Sequence, residues 1–218
     1  MVRIAPSILS ADFACLGDAI SRVEPVADLL HVDVMDGHFV PNLTIGPPVV
    51  AAINRHTDMV LDCHLMMTNP GDYLEAFRRA GADWVSVHVE VDGTAGLLDE
   101  MEALGLHAGL AINPETPFEA VEPWLSRLHH VLVMTVHPGF GGQRFMDEVV
   151  PKLRTIAAHR HHAIVEVDGG IDVGTVPVVA EAGATCFVAG QAVFGQPDPA
   201  EAVRALRQAA LASVDARP

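Results

Sequence analysis

The sequence LLHVDVM at residues 29–35 has the pattern of a buried β-strand that carries polar side chains towards its carboxyl end. Because side chains alternate across a strand, His31, Asp33 and Met35 share one face. If Asp33 points into the mouth of a larger sheet, His31 therefore points there too. Packing would favour apolar side chains at these positions, so the two polar residues are candidates for a functional site.

Apolar runs of this kind recur along the chain, and segments with helical spacing separate them. The predicted strands are Val2–Leu9, Leu29–Met35, Val60–Met67, Trp84–Val89, Ala108–Ile112, Val131–Val136, Ile164–Asp168 and Cys186–Ala189. The strict alternation predicts an α/β fold, a (β/α)₈ TIM barrel of eight parallel strands, as a single catalytic domain over residues 1–218. A doubly wound open sheet is the alternative, but no GxGxxG motif follows the first strand.

Helix boundaries follow from local chemistry. Helical spacing relates the apolar residues of two sets, Phe13, Leu16, Ile20 and Val23, and Leu97, Leu98, Met101 and Leu104. Asn69-Pro70 and Thr116-Pro117 are predicted helix starts, because each places a capping residue before a proline. Gly81, Gly105 and Gly183 are predicted to end helices in a left-handed conformation.

Composition excludes several classes of function. The formal net charge of -15 argues against a nucleic-acid partner, because phosphate backbones are bound by clustered lysine and arginine. No apolar run approaches the roughly 20 residues of a membrane-spanning helix. The cysteines Cys15, Cys63 and Cys186 form no CxxC motif, and no signal segment precedes them, so we expect a cytoplasmic protein.

Polar residues occupy the carboxyl ends of four predicted strands, whereas the strand interiors of a barrel should be apolar. These residues are Ser7, His31, Asp33, His64 and Asp168. Two imidazoles and two carboxylates that converge there would suit one divalent ion, Zn, Fe, Co or Mn, and the lack of a thiolate argues against a structural zinc site. Any one of these histidines alone would more often be a hydrogen-bonded barrel residue.

Three glycine-containing loops follow the last three predicted strands. They are His137 to Gln143, Asp168-Gly169-Gly170 and Gly190-Gln191. Glycine lets backbone N–H groups approach an anion closely, and barrels often bind phosphate at this place. Each loop alone is also explained by a tight turn. Together they predict a phosphate pocket built from backbone dipoles, with Arg144 as the nearby cation.

Five stretches carry a resemblance to a known family, and they are APSILSADF at 5–13, HVDVMDGHFVPN at 31–42, CHLM at 63–66, PGFGGQ at 138–143 and EVDGGI at 166–171. From Ala5 to about Phe194 the chain resembles ribulose-phosphate 3-epimerase. The resemblance implies inversion at carbon 3 of a ketopentose phosphate, with ribulose 5-phosphate and xylulose 5-phosphate as the two epimers. It also implies a possible homo-oligomer.

The resemblance implies roles for individual residues. It makes His31, Asp33, His64 and Asp168 the metal ligands, and Asp33 and Asp168 the acid–base pair. It assigns substrate binding to Ser7, His64, Gly139, Phe140, Gly141, Gly142, Asp168, Gly169, Gly170, Gly190 and Gln191. It sets Met35, Met66 and Met134 against the reacting carbons, although ordinary core filling explains these methionines equally well.

Two departures from the family pattern lie near the proposed phosphate end. Gln191 stands where serine is common, and His137 stands where asparagine or glutamate is frequent. A larger side chain at position 191 would narrow or re-aim the pocket, so an allulose-6-phosphate 3-epimerase is the competing enzyme.

A non-catalytic sugar-phosphate-binding barrel is the alternative from another class, and the presence of both Asp33 and Asp168 argues against it. A barrel decarboxylase is disfavoured because Lys152 is the only lysine. The histidines His159, His161 and His162 are interpreted as solvated surface.

Overall fold

Eight strands alternate with helices in the computed structural model, which describes residues 2–215. The strands are β1 Arg3–Pro6, β2 Leu29–Met35, β3 Val60–Met66, β4 Trp84–His88, β5 His107–Ile112, β6 His130–Met134, β7 Ile164–Asp168 and β8 Cys186–Ala189. The α-helices are α1 Leu16–Val23, α2 Pro47–Asn54, α3 Leu74–Ala80, α4 Thr94–Ala103, α5 Val150–His159, α6 Val176–Glu181, α7 Gln191–Phe194 and α8 Pro199–Asp215. Short 3₁₀ turns cover Ile8–Ser10, Phe13–Cys15, Pro70–Tyr73, Phe118–Ala120, Glu122–Trp124 and Asp147–Val149.

The sheet is parallel throughout and runs in the order β1-β8-β7-β6-β5-β4-β3-β2. Its two end strands meet, because a parallel bridge joins Ser7 to His31 and the Ile4 N–H donates to the Asp28 carboxylate at 2.8 Å. The sheet is therefore a nearly closed barrel with helices between its strands. The predicted TIM barrel is confirmed, and the open doubly wound sheet is wrong.

Alternation along each strand separates two apolar layers. In β2, Val32 and Val34 belong to the large outer core between the strands and the helices. Leu29 points inward and packs with Trp84 and Leu132 in a smaller cluster inside the barrel. His31 and Asp33 have the parity of Leu29, so the same alternation that buries the outer face turns them towards the barrel axis.

The beginning of the chain is less regular than its apolar pattern predicts. The strand predicted over Val2–Leu9 ends at Pro6, because Ser7 accepts a hydrogen bond from the Leu9 N–H and starts a 3₁₀ turn. Phe13 does not belong to the apolar stripe of α1, since it lies in a second 3₁₀ turn and is 47% exposed.

The segment between β5 and β6 contains no α-helix, so the prediction of a helix start at Thr116-Pro117 is wrong. Two 3₁₀ turns replace it, Phe118–Ala120 and Glu122–Trp124. Pro123 lies inside the second turn and has no N–H to donate, which disfavours a continuous helical ladder.

The other helix boundaries agree with their predictions, with one exception in detail. Asn69 precedes the 3₁₀ turn that leads into α3, but its side chain donates to Asp72 at 2.7 Å instead of capping the helix. Gly81, Gly105 and Gly183 follow α3, α4 and α6 with φ angles of 101°, 68° and 110°. These positive angles are the left-handed helix ends that the sequence predicts.

Three further observations concern membrane-spanning helices, the cysteines and a group of histidines. In the part of the chain that the structure describes, no helix is long and apolar enough to span a membrane. All three cysteines are free, and Cys63 and Cys186 are buried while Cys15 is exposed. His159, His161 and His162 are exposed, in agreement with their interpretation as surface residues.

Candidate active site

A cavity of about 760 Å³ opens at the carboxyl ends of the strands. Its walls include fourteen of the predicted site residues, namely Ser7, Asp33, Met35, Met66, Met134, Gly139, Phe140, Gly141, Gly142, Asp168, Gly169, Gly170, Gly190 and Gln191. His31 and His64 lie beneath the floor and have no exposed surface. The structure thus brings the predicted residues together at one end of the barrel.

Two carboxylates and two imidazoles form a compact cluster at the floor of this cavity. His31 Nε2 lies 3.4 Å from Asp33 Oδ1 and 4.0 Å from Asp168 Oδ2. His64 Nδ1 lies 3.3 Å from the same Asp33 oxygen. One ligand atom from each of the four residues falls within 4.8 Å of all the others.

The donor set of this cluster fits a divalent cation. His31 Nε2 is fully buried and has no hydrogen-bond partner in the described part of the chain, which is unfavourable unless something else binds it. Two imidazole nitrogens and two carboxylate oxygens are ligands that Zn²⁺, Fe²⁺, Co²⁺ and Mn²⁺ accept. The cluster is therefore suited to hold such an ion.

The two carboxyl groups have opposite electrostatic environments. Burial raises the pKa of Asp168 to about 7, and the neighbouring charge of Asp33 adds to the rise. Burial acts on Asp33 as well, but the charge of His31 and the close contacts of His31 and His64 with Asp33 Oδ1 outweigh it, so the Asp33 pKa falls well below its usual range. Near neutral pH Asp33 is therefore ionised, whereas Asp168 is close to its own pKa.

The two imidazoles differ in the same way. Burial would lower the pKa of His31, but the charges of Asp33 and Asp62 outweigh it, and the pKa is raised. Burial lowers the pKa of His64 to about 4, although the close contact with Asp33 opposes this, and the nearby His88 lowers it further. His64 is therefore neutral near pH 7, which is the form in which imidazole binds a metal.

A hydroxyl group and a backbone turn fix the Asp33 carboxylate. The Ser7 Oγ–H donates to Asp33 Oδ2 at 2.6 Å, and both groups are buried. Ser7 also caps the turn after β1, so the closure of the barrel between β1 and β2 sets its position. One Asp33 oxygen is thereby held by Ser7, while the other faces the two imidazoles.

A polar layer lies deeper in the barrel, where the sequence predicts apolar side chains. It contains Asp62, Ser86, His130 and Glu166, none of which is exposed. Asp62 Oδ2 lies 2.6 Å from His31 Nδ1, and Cys186 Sγ lies 3.3 Å from Glu166 Oε1. The expectation of an apolar interior is therefore wrong. The alternation of side chains along a strand was the signal that was missed. Asp62 lies two residues before His64 on the same strand face, and Glu166 lies two residues before Asp168 on another.

A second pair of residues near the cluster was also missed. His88 at the end of β4 lies with its Nε2 atom 2.8 Å from His64 Nε2. Glu90 follows β4, and its Oε2 atom lies 3.0 Å from His88 Nδ1. The stretch His88-Val89-Glu90 repeats the alternation of His31-Val32-Asp33 at the end of another strand, which is the signal that the sequence offered.

The glycine loops surround the other side of the cavity and are fixed to the barrel. Thr135 anchors the turn after β7, because its Oγ–H donates to the Gly169 carbonyl at 2.6 Å. The Asn42 side-chain amide donates to the Gly139 carbonyl at 2.8 Å. A Cβ atom added to Gly170 would lie 2.5 Å from the Phe145 nitrogen, so the two loops touch backbone to backbone.

Of the two departures from the family pattern, Gln191 lies in the cavity wall and His137 does not. The Gln191 side chain lies against Gly195 at the other end of the short helix α7. His137 Nδ1 lies 3.1 Å from Glu115 Oε1, and both side chains are 62% exposed. His137 therefore contacts the loop after β5 and is not part of the cavity wall.

The three methionines lie between the cluster and the glycine loops. Met35, Met66 and Met134 are buried, and each contributes to the cavity wall. Met35 and Met66 pack with Val40 in a small cluster of their own, whereas Met134 belongs to the core inside the barrel. Their sulfur atoms offer a polarizable surface without exchangeable protons.

A parallel barrel whose strand ends gather two carboxylates and two imidazoles beneath a glycine-lined cavity has the architecture of a barrel enzyme. The model of the ribulose-phosphate 3-epimerase family matches residues 3–194. The chain therefore belongs to the ribulose-phosphate 3-epimerase family, and it is an isomerase.

Curated relatives cover nearly the whole chain. Ribulose-phosphate 3-epimerase of Mycobacterium tuberculosis is 51% identical over 215 residues, which are 95% of this chain and 92% of that protein. The protein of the same name from Bacillus subtilis is 48% identical over 95% of this chain and 99% of its own length. A rice relative, named as the cytoplasmic isoform, is 47% identical over 94% of this chain and 93% of its own length.

Solved structures share the fold at low sequence identity. 3-Hexulose-6-phosphate synthase from Salmonella typhimurium superposes with a TM-score of 0.76 at 18% identity and covers 97% of this chain and 100% of its own. 3-Keto-L-gulonate-6-phosphate decarboxylase from Vibrio cholerae gives 0.74 at 18% identity, with 97% and 98% covered. At such identities the similarity supports the barrel alone.

Proposed function

We propose that the protein interconverts D-ribulose 5-phosphate and D-xylulose 5-phosphate by inverting carbon 3. The relatives named ribulose-phosphate 3-epimerase indicate the substrate class, and the paired carboxyl groups of Asp33 and Asp168 carry the mechanism. They come from β2 and β7, on different sides of the barrel mouth. Their opposite pKa directions give one group ready to accept a proton and one ready to donate it.

Inversion at a carbon beside a ketone needs proton transfer on both faces. One carboxylate takes the carbon 3 proton, and the electron pair moves towards the carbonyl oxygen to give a planar enediolate. The other carboxyl group then returns a proton to the opposite face of carbon 3. In the reverse direction the two aspartates exchange roles, so neither is permanently the base.

The cluster residues would hold one divalent ion, either Zn, Fe, Co or Mn, through His31, His64, Asp33 and Asp168. When bound, such an ion supplies Lewis-acid stabilisation of the negative charge on the substrate oxygens. The buried and unpartnered His31 Nε2 supports this proposal. Ser7 would contact the substrate and keep Asp33 aimed at carbon 3, since its hydroxyl already binds Asp33 Oδ2.

The loops after β6, β7 and β8 would bind the phosphate group. Gly139 to Gly142, Gly169-Gly170 and Gly190-Gln191 surround that part of the cavity. Backbone N–H groups attract phosphate without lysine side chains, which suits a protein with a net charge of -15. Met35, Met66 and Met134 would keep water from the reacting carbons. We also propose a cytoplasmic location, as the rice relative is named a cytoplasmic isoform.

The experiment is to incubate the purified protein with ribulose 5-phosphate and to follow xylulose 5-phosphate by NMR. We expect equilibrium between the two epimers, loss of activity after treatment with a chelator, and recovery on addition of a divalent ion. Allulose 6-phosphate serves as the competing substrate. A larger kcat/KM for that hexulose would reject the pentulose assignment, and no conversion of either sugar would favour a sugar-phosphate-binding barrel.

A further inference from the structure

His64 and His88 form a buried pair whose ring nitrogens lie within hydrogen-bond distance. Their Nε2 atoms are 2.8 Å apart, and neither residue has exposed surface. The two rings are close to parallel, at 29° with centroids 4.9 Å apart. A hydrogen bond between two imidazole nitrogens requires one N–H donor and one bare nitrogen. The direction of this bond decides which nitrogen of His64 remains free for the cluster.

Glu90 sets that direction from the other side of His88. Its Oε2 atom lies 3.0 Å from His88 Nδ1, while its Oε1 atom accepts from the Asn113 N–H at 2.8 Å and from the Thr116 hydroxyl. Burial would raise the Glu90 pKa, but these hydrogen bonds lower it, so the group is a carboxylate. A carboxylate only accepts, so His88 carries its proton on Nδ1 and offers a bare Nε2.

We propose that His88 and Glu90 are positioning residues that hold His64 with its proton on Nε2 and its bare Nδ1 turned to the cluster. With the proton of His88 on Nδ1, its Nε2 atom can only accept, so His64 Nε2 must donate for the 2.8 Å contact to be a hydrogen bond. This inference rests on the proposed function, since it assigns a reason for the arrangement only if the cluster binds a cation. His64 Nδ1 and Asp33 Oδ1, 3.3 Å apart, then both present electron pairs to the same point.

A carboxylate also fixes the orientation of His31, but here it contacts Nδ1, and the other ring nitrogen, Nε2, faces the cluster. Asp62 Oδ2 lies 2.6 Å from His31 Nδ1, which leaves the buried Nε2 atom facing Asp33 and Asp168. A carboxylate behind each imidazole fixes its ring and increases its basicity as a ligand. Asp62 does so directly, whereas Glu90 does so through His88. Both arrangements therefore orient a histidine of the same cluster, one by direct contact and the other through an intervening residue.

The loop that supplies hydrogen bonds to Glu90 is itself fixed. Lys152 in α5 donates to the carbonyl oxygens of Asn113, Pro114 and Thr116 at 2.5, 2.9 and 2.8 Å. The only lysine of the chain therefore holds the segment that orients Glu90. The His88 ring also packs against Phe39, with centroids 4.5 Å apart. Both contacts hold the relay in one geometry.

The variant Glu90→Gln keeps the shape of the side chain but reverses the direction of the hydrogen bonds that run from Glu90 through His88 to His64. The Asn113 N–H and the Thr116 hydroxyl would select the amide oxygen for the Oε1 position. The amide NH₂ then faces His88 Nδ1 and requires a bare nitrogen there, so His88 must carry its proton on Nε2. That proton would face the Nε2–H group of His64, so the hydrogen bond between the two imidazoles would be lost unless His64 changed its tautomer. Glu119→Gln is the matched control, because Glu119 is exposed on the turn after β5.

The test uses the full chain with ¹⁵N-labelled histidine, both metal-free and loaded with Zn²⁺. NMR assigns the His88 tautomer, and competition with a chelator gives the Zn²⁺ dissociation constant. We expect the proton of His88 on Nδ1 in the parent protein and on Nε2 in Glu90→Gln. We expect Zn²⁺ affinity to fall by about 10- to 100-fold in Glu90→Gln, as for other outer-sphere partners, and to stay within about twofold in Glu119→Gln.

Each outcome decides the inference. A proton on His88 Nε2 in the parent protein would overturn it, as would unchanged Zn²⁺ affinity in a Glu90→Gln variant whose His88 tautomer has switched. His88→Gln provides a second variant, with the same expected loss of affinity. If the parent protein binds no divalent ion at all, the proposed metal site fails and the positioning role falls with it, while the NMR result still reports the proton arrangement.

Discussion

Gly170→Ala should damage the phosphate pocket through a displacement that the structure allows us to estimate. The added Cβ atom would lie 2.5 Å from the Phe145 nitrogen and 2.8 Å from its Cα. Ordinary contact begins near 3.4 Å, so the loop after β6 must move away by about 0.9 Å. A misplacement of about 1 Å is enough to lower the rate roughly 100-fold. We expect kcat/KM for ribulose 5-phosphate to fall by about that factor.

The matched control is Gly105→Ala, which carries the same backbone strain without the clash. Gly105 has a φ of 68° against 64° for Gly170, and no atom lies within 4 Å of its added Cβ. A side chain in this conformation costs roughly 1–2 kcal/mol. Both variants should therefore lose free energy of unfolding by at least this amount.

The assay combines steady-state kinetics, competitive inhibition by inorganic phosphate and urea denaturation. Gly170→Ala should raise the inhibition constant for phosphate, whereas Gly105→Ala should leave it unchanged. If the two variants show equal kcat/KM and equal phosphate inhibition, the loop contact at Gly170 does not shape the phosphate pocket. The assignment of the glycine loops would then be refuted.

Two other predictions concern the cavity wall and the deep barrel interior. Met66→Leu nearly conserves side-chain volume, so the free energy of unfolding should change by less than about 1.5 kcal/mol. If the sulfur lines the reacting carbons, kcat should fall about threefold, which corresponds to ~0.7 kcal/mol in the activation barrier. An unchanged kcat would remove that role. His130 is fully buried and its pKa is lowered to about 4, so the unfolded chain takes up its proton first as the pH falls from about 6.5 towards 4. The buried His130 should therefore lower the free energy of unfolding by ~2 kcal/mol at pH 5 relative to pH 7. Denaturation curves of the parent protein and of His130→Gln should differ in pH dependence by that amount. Equal pH dependence of the two proteins would reject this role of His130.

The apolar pattern was sufficient for most of the fold. Period-two runs between glycine-terminated helices placed all eight strands, and the ends of β2, β7 and β8 agree to the residue. The pattern failed where local hydrogen bonds replaced regular structure. Ser7 shortens β1 with a side-chain cap, and proline-containing 3₁₀ turns replace the helix expected after Thr116. Such choices depend on tertiary contacts that periodicity does not encode.

The cluster was predictable because its four residues lie at strand ends, where the barrel geometry forces convergence. Its supporting residues were not predicted, since they are polar residues of a kind that strands also carry on their surfaces. Asp62 and Glu166 have the parity of His64 and Asp168, and His88 has the parity of its strand's inward face, so the direction of each was available. Their hydrogen-bond partners became visible only when the barrel closed.

The direct test of the account is the fate of the carbon 3 hydrogen in deuterated water with Asp33→Asn and Asp168→Asn, each supplied with either epimer and followed by NMR. We expect each variant to lose interconversion by at least about 10³-fold, within the range for removal of an acid–base group. Any residual exchange of the carbon 3 hydrogen should favour a different epimer in each variant. Interconversion within about tenfold of the parent rate in either variant would contradict the two-carboxylate mechanism.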